Sequence, residues 1–191
     1  MDAFRLYTYQ TTSPPYHPVR TTHISTNMSN ITLSDLSYIS REDLASQLKN
    51  SPSAPQLPDN IAIVDVRDSD HIGGHIRGST WVPSNELDYK TPELVRNLKD
   101  KELVVFHCAL SQQRGPSAAL RYLREKRRLD PESKTFTKEG EEIKEGDEGN
   151  RERKEQKVVV LRGGFTEWQE KYGPDKQLTE GWQKDIWEFG Y

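Results

Sequence analysis

Three short apolar runs punctuate a chain that is otherwise polar: Ile61-Ala62-Ile63-Val64-Asp65-Val66, Leu103-Val104-Val105-Phe106 and Val158-Val159-Val160-Leu161. They are rich in β-branched residues and do not alternate with polar ones. Runs of this kind predict strands buried on both faces, as in a parallel sheet. Between them the apolar spacing changes to that of helices. Ser40-Arg41-Glu42-Asp43 resembles a capping box, with Ile39 and Leu44 placed as a hydrophobic staple. It predicts a helix to about Lys49, followed by a Pro-rich loop over 50–60. Ser79-Thr80-Trp81-Val82-Pro83 reads as a short strand, and Thr91 to Leu98 as a capped helix. Residues 116–127 read as a helix opened by Pro116, and Phe165 to Tyr172 as an aromatic-rich helix after a Gly163-Gly164 turn. Strands alternating with helices predict an α/β fold, with a mainly parallel sheet and helices on both faces.

Two stretches fall outside this pattern. Residues 1–30 are rich in Thr, Ser, Pro and Tyr without periodicity, and read as a flexible extension. Arg5, Arg20 and the scarcity of acids there leave a mitochondrial transit peptide open. Residues from about 129 to 156 are mostly Glu, Lys, Asp, Arg and Gly, with Phe136 and Ile143 as the sizeable apolar residues. Such a segment buries too little surface to order itself and reads as a disordered, solvated insertion, with a docking surface as the sharper alternative. The expected organisation is an extension over 1–30 and one domain over 31–191 that carries the insertion. The tail from Gly181 to Phe189 is expected to pack on the domain.

Composition narrows the class. The chain has 191 residues, 32 % hydrophobic and 30 % charged, which suffices for one domain with part of the chain outside its core. A net charge of −3 gives no electrostatic reason to expect nucleic acid or an anionic membrane as partner. No apolar run approaches transmembrane length, and the N-terminus lacks the apolar core of a secretory signal. The single cysteine excludes an intrachain disulfide and a multi-cysteine zinc site, and no metal is expected. A lone reactive thiol fits a reducing compartment, cytoplasm or nucleus.

That cysteine carries the candidate chemistry. His107-Cys108-Ala109-Leu110-Ser111-Gln112-Gln113-Arg114-Gly115-Pro116 joins a predicted strand to a predicted helix. A thiolate is the nucleophile, and a helix N-terminus or nearby positive charge lowers a thiol's pKa from about 8.5 to roughly 3.5–7.5. A loop curled from Cys108 to Arg114 can point its N–H groups inward as an anion nest, with Arg114 holding two oxygens through its planar fork. Ala109 leaves room for the bound group, and the Ser111 hydroxyl is placed to hydrogen-bond the thiolate. Leu110, Gln112 and Gln113 complete the expected substrate-binding loop, the two glutamines at its mouth. A lone cysteine at a strand end is often only a small core residue. The Arg and the Gly-Pro helix start beside it argue for chemistry. His107 is expected to shape the loop, Asp65 and Arg67 to pair and brace the sheet end, and His75 to hold the turn before Gly78.

Three segments resemble a known family. Asp65-Val66-Arg67-Asp68, His71-Ile72-Gly73-Gly74-His75-Ile76-Arg77-Gly78-Ser79 and Val160-Leu161-Arg162-Gly163-Gly164-Phe165-Thr166-Glu167-Trp168 are similar to the recurring signatures of the rhodanese fold. The Cys-x5-Arg loop, one residue longer than in sulfurtransferases of this fold, resembles that of the M-phase inducer phosphatases, the eukaryotic arsenate reductases and their small relatives. The resemblance implies Cys108 as nucleophile, Arg114 as oxyanion binder and the amides of 109–114 as the cradle. The chain departs from the M-phase inducers in three ways. Ala109 and Gln113 stand where those enzymes carry loop carboxylates, and Val66 stands where they carry a second cysteine. Their long regulatory region and the basic tail that reaches a kinase substrate are not matched by the residues here, so a kinase-activating role is not expected.

The leading expectation is a cysteine-dependent phosphatase of the protein-tyrosine or dual-specificity type, working through a phosphocysteine without a cofactor. The alternative is an arsenate reductase, which needs glutathione or glutaredoxin because no second cysteine exists. A non-catalytic rhodanese-fold binding module and a sulfurtransferase are further readings. The partners implied are a phosphoprotein or a small oxyanion, and glutaredoxin in the reductase case. Peroxide is expected to inactivate the enzyme through Cys108, with glutathione moderating the damage.

Overall fold

The computed structural model describes residues 31–131, 135–136 and 156–189. The expected extension over 1–30 and most of the expected insertion lie outside the described residues. In chain order the elements are β1 (Ser37–Ile39), α1 (Arg41–Lys49), β2 (Ile61–Asp65), β3 (His75–Ile76), β4 (Thr80–Trp81), α2 (Leu87–Asn97), β5 (Leu103–His107), α3 (Arg114–Leu129), β6 (Thr135–Phe136), β7 (Gln156–Leu161), α4 (Gly164–Tyr172), β8 (Thr179–Glu180) and α5 (Lys184–Phe189). One sheet runs in the order β1-β7-β5-β2-β4, and every pairing in it is parallel. β6 adds to β7, also parallel, and β3 pairs with β8 as a small antiparallel ribbon.

The three apolar runs are the three central strands. Their side chains alternate between two cores, which is why each run had to be apolar throughout. Ala62, Val64, Val104, Phe106, Val158 and Val160 meet α2 and α3 on one face through Leu94, Val95, Ala119 and Tyr122. Ile61, Ile63, Leu103, Val105, Val159 and Leu161 meet α1 and α4 on the other through Leu44, Leu48, Phe165 and Trp168. Helices therefore cover both faces. No helix among the described residues is long and apolar enough to cross a membrane.

Local chemistry sets the helix boundaries. Ser40 caps α1, its hydroxyl oxygen accepting the Asp43 N–H at 3.0 Å. α2 begins four residues before the expected Thr91. Thr91-Pro92 imitates a cap followed by a first-turn proline, but burying Leu87 draws the preceding turn into the helix, and the Thr91 hydroxyl donates back to the Leu87 carbonyl at 2.5 Å. α3 begins at Arg114, two residues before Pro116, and reaches Leu129. Its buried stripe, Ala118, Ala119, Tyr122 and Leu123, ends in Lys126. The Lys126 ammonium, its pKa pushed down by burial, donates to Gln156 Oε1 at 2.8 Å, and the Tyr122 hydroxyl donates to the same oxygen at 2.9 Å. Gln156 is fully buried and opens β7, two residues earlier than the apolar run suggested. β6 contributes strand pairing inside the segment expected to be disordered throughout.

Candidate active site

β2 and β5 are neighbours, paired up to Asp65 and His107, so the loops that follow them leave the sheet side by side at its carboxyl end. Ligands of such sheets bind at this end. Cys108 follows β5 and Arg114 opens α3, so residues 109–113 make the whole turn.

The turn is gripped from outside by α4. The first turn of a helix has N–H groups without intrahelical acceptors. Those of Phe165 and Thr166 donate to the carbonyls of Cys108 and Ala109, both at 2.9 Å. In a trans peptide the N–H opposes the C=O. The amides of Ala109 and Leu110 therefore face away from α4. Among the described residues, the N–H groups of Ala109, Leu110, Gln112 and Gln113 meet no protein acceptor. Ser111 takes a left-handed φ of 53°, and its N–H donates to Cys108 Sγ at 3.2 Å. The expectation for Ser111 is corrected here. Its backbone holds the sulfur, while its buried Oγ has no partner among the described residues. Gln113, the N-cap residue of α3, makes no side-chain cap bond. Open amides thus surround a thiol at a helix N-terminus, which is the construction of an anion nest.

Only glycine lets α4 come this close. Gly164 has φ 60°, and a Cβ there would lie 2.3 Å from the Ala109 carbonyl oxygen and 2.5 Å from that of Cys108.

Arg114 is held by two carboxylates from the loop after β2. Its Nη1 donates to Asp68 Oδ2 at 2.9 Å and Asp70 Oδ1 at 2.7 Å, and its Nη2 to Asp70 Oδ2 at 2.5 Å. This uses the end of the guanidinium. The side edge, Nε–H and the second Nη2–H, has no protein acceptor among the described residues and remains as a two-pronged donor. Arg114 and Cys108 lie within electrostatic reach of each other. Asp68 is fixed in turn by the Ser84 N–H at 2.7 Å and the Ser84 hydroxyl at 2.8 Å. The Arg114 hydrogen bonds hold the Asp70 carboxyl below its ordinary value. At Asp68 burial acts upward, but the bonds from Ser84 and Arg114 prevail and the net shift is downward.

Beneath the turn, Arg67 binds Asp65 through Nε at 2.9 Å and Nη2 at 2.6 Å, with both side chains buried. Arg67 continues to the Gly74 carbonyl at 2.9 Å and lies 4.2 Å over the Phe165 ring. Burial would raise the Asp65 pKa, yet the hydrogen bonds and charge of Arg67 hold it below the ordinary value. The pair braces the sheet end, as expected. His107 is fully buried, with Nδ1 3.3 Å from the Cys108 carbonyl oxygen. Burial pushes its pKa down and leaves it neutral at pH 7, which suits shaping rather than charge transfer. His75 is structural, as expected, and acts through Glu180 of β8, which its ring meets at 3.1 Å across the ribbon.

The structure thus brings Cys108 and Arg114 together, with Leu110, Gln112 and Gln113 exposed around them. Sequence reasoning missed Asp70 and the gripping role of Gly164. Asp68 had appeared only as part of a signature. The signals existed, as two acids at the mouth of the Asp-x-Arg loop and a glycine pair before a helix, but the contacts they make are long-range.

Comparison with known proteins agrees with this geometry. The model of the rhodanese-like domain matches residues 42–171. The CDC25-like phosphatase YCH1 of Saccharomyces cerevisiae is 32 % identical over 171 residues, covering 84 % of this chain and 99 % of that protein. Arsenate reductase 2.2 of Oryza sativa subsp. japonica is 34 % identical over 135 residues, covering 70 % of this chain and 82 % of that protein. Among solved structures, Saccharomyces cerevisiae Ygr203w, a homolog of single-domain rhodanese and the Cdc25 phosphatase catalytic domain, superposes with a TM-score of 0.57 at 29 % identity over 82 % of this chain and 94 % of that one. The As-Sb reductase of Leishmania major superposes with a TM-score of 0.53 at 28 % identity, over 74 % and 81 % of the two chains. With its signatures seated around the loop from Cys108 to Arg114 and the family match spanning most of the fold, the chain belongs to the rhodanese-like domain family.

Proposed function

We propose that this protein is a cysteine-dependent phosphatase of the protein-tyrosine class. The observation that carries this reading is the ring of unbonded loop amides around Cys108, completed by the free edge of Arg114. The Cys108 thiolate attacks phosphorus, forming a P–S bond as the ester P–O bond breaks and the leaving oxygen departs with the electron pair. The non-bridging oxygens rest on the loop amides and on Arg114, where charge gathers in the transition state. Water then attacks the phosphocysteine, gives its proton to solvent and restores the thiolate. Asp68 and Asp70, held below the usual carboxylate range, are ionised at neutral pH and carry no proton for the leaving group. A phenolate departs without a proton more readily than an alkoxide, which favours phosphotyrosine. The names of similar phosphatases in two yeasts support the reading.

The test is hydrolysis of an aryl phosphate by wild type and Cys108→Ser. We expect the activity to vanish in the variant with its fold intact; activity that persists would overturn the assignment.

A second reading rests on the same donors, because arsenate matches phosphate in shape and charge, and on the arsenate reductases among the similar proteins. Cys108 forms an S–As(V) bond with loss of water. Two external thiols, glutathione and then glutathione or glutaredoxin, supply two electrons, leave as a disulfide and release arsenite. Turnover of arsenate without an added thiol contradicts this reading.

A further inference from the structure

Beside the cradle lies a cleft of about 290 Å³, lined by Asp68, Ser69, His71, Trp81, Pro83, Asn85 and Glu86. It sits at the lower edge of the roughly 300–1,000 Å³ range of ligand pockets, a size for one side chain rather than for a larger molecule. The cleft and the cradle share a wall, since the Asp68 that lines the cleft also bonds Arg114. A side chain adjoining a phosphorylated residue seated on Cys108 therefore finds this cleft next to it.

Its chemistry is specific. Trp81 is 52 % exposed although it stands in the sheet. Its indole is fixed nonetheless. Nε1–H donates to the Arg67 carbonyl at 2.7 Å, and the ring stacks on His71 at 4.6 Å and 15°. A large aromatic surface left half open but locked in orientation is a platform that needs no further ordering to bind. The Asp68 oxygens are already taken by Ser84 and Arg114. Glu86 supplies the second carboxylate of the cleft, in contact with the Tyr89 hydroxyl. No cationic side chain lines the cleft, and burial lowers the His71 pKa, which keeps the ring neutral at pH 7.

A fixed indole beside an acid with no basic residue opposite suits a cation, and among side chains the planar guanidinium best matches both surfaces. We propose that this cleft is a specificity subsite for a basic residue, arginine above all, flanking the phosphotyrosine of the substrate. The flanking guanidinium lies on Trp81 and pairs with Glu86. This inference rests on the phosphatase reading and names the substrate class that it leaves open.

The experiment uses phosphotyrosine peptides that are identical except for Arg, Glu or Phe scanned through the two positions on each side of the phosphotyrosine. The readout is the ratio of kcat/KM between peptides within one protein, so differences in overall activity cancel. At the best position we expect the wild type to favour Arg over Glu by about tenfold or more, the scale of a partly desolvated cation–π contact. Glu86→Lys is expected to invert the ratio, and Trp81→Leu to reduce it. A wild-type ratio of one at every position, equal turnover of the Arg and Phe peptides, or an unchanged ratio in Glu86→Lys would overturn the proposal. Aryl phosphate hydrolysis in the same preparations reports on the cradle alone. If the wild type lacks it, the phosphatase reading fails, and the subsite is judged separately by calorimetric binding of the same peptides to Cys108→Ser, with the same expected order of affinity.

Discussion

Arg114 commits one edge of its guanidinium to Asp70 and Asp68 and leaves the other, the edge proposed to hold the oxyanion, without a protein acceptor among the described residues; this division requires a planar group with five donors. Lysine retains the charge but not the two edges. Arg114→Lys is therefore expected to lower kcat/KM on aryl phosphates by about 10²–10³, the scale seen when an oxyanion donor is removed, with the fold unchanged by circular dichroism. The clamp also has a pH signature. The Asp70 carboxyl is depressed in the folded protein, chiefly by its hydrogen bonds to Arg114. Its contribution to stability is complete above the unfolded value of about 3.9 and is lost as pH falls through the lower folded value. Thermal unfolding of wild type and Asp70→Asn should differ by a small, constant margin at neutral pH, because the pair is partly exposed. The margin should close below about pH 4. The placement of Cys108 and Arg114 on one strand-to-helix loop was legible in the sequence because it depends on short spacing. Asp70 was not, because its meaning depends on a contact 44 residues away.

At the scale of elements, the cradle is a joint between a strand, a turn and two helix N-termini. α4 holds the turn through backbone bonds that pass over Gly164. A side chain there would clash with two carbonyl oxygens, and the left-handed φ adds roughly 1–2 kcal/mol for any L-residue. Gly164→Ala is expected to lower Tm by several degrees, at about 2–4 °C per kcal/mol for a domain of this size. It should also reduce hydrolysis at least tenfold by letting the turn rotate its amides. A variant with wild-type melting and activity would refute the grip. The central strands were legible because burial on both faces demands uninterrupted apolar residues. The edges divide. β4, Thr80–Trp81, lies within the short strand read at 79–83, whereas β1 is three residues long and leaves no pattern. α2 was misplaced because a Thr-Pro pair imitates a helix start, while the burial of Leu87 decides the real one.

For the molecule as a whole, the chain's end returns to support its catalytic face. The Trp187 Nε1–H donates to the Gly73 carbonyl at 2.7 Å, and its ring meets Phe165 edge-on at 5.6 Å. Gly73 closes the loop that carries Asp68 and Asp70, so the tail props the residues that aim Arg114. This tail was expected to pack and does so through Trp182 and Trp187, whereas Phe189 remains 83 % exposed. Trp187→Ala is expected to cost about 1–3 kcal/mol and to lower kcat/KM several-fold. Trp187→Phe should recover most of the stability but less of the activity, because it restores the ring and not the N–H. Melting and kinetics on the two variants separate these effects. The grip of α4 on the nucleophile turn has a consequence of another kind. On the proposed reading, anion affinity at this site rests on main-chain N–H groups and Arg114, and the exposed side chains of Leu110, Gln112 and Gln113 are spectators to it. Those positions form a recodable cassette, open to drift in nature or to randomisation in a library, through which selectivity can be rewritten while the reactive centre stays as it is.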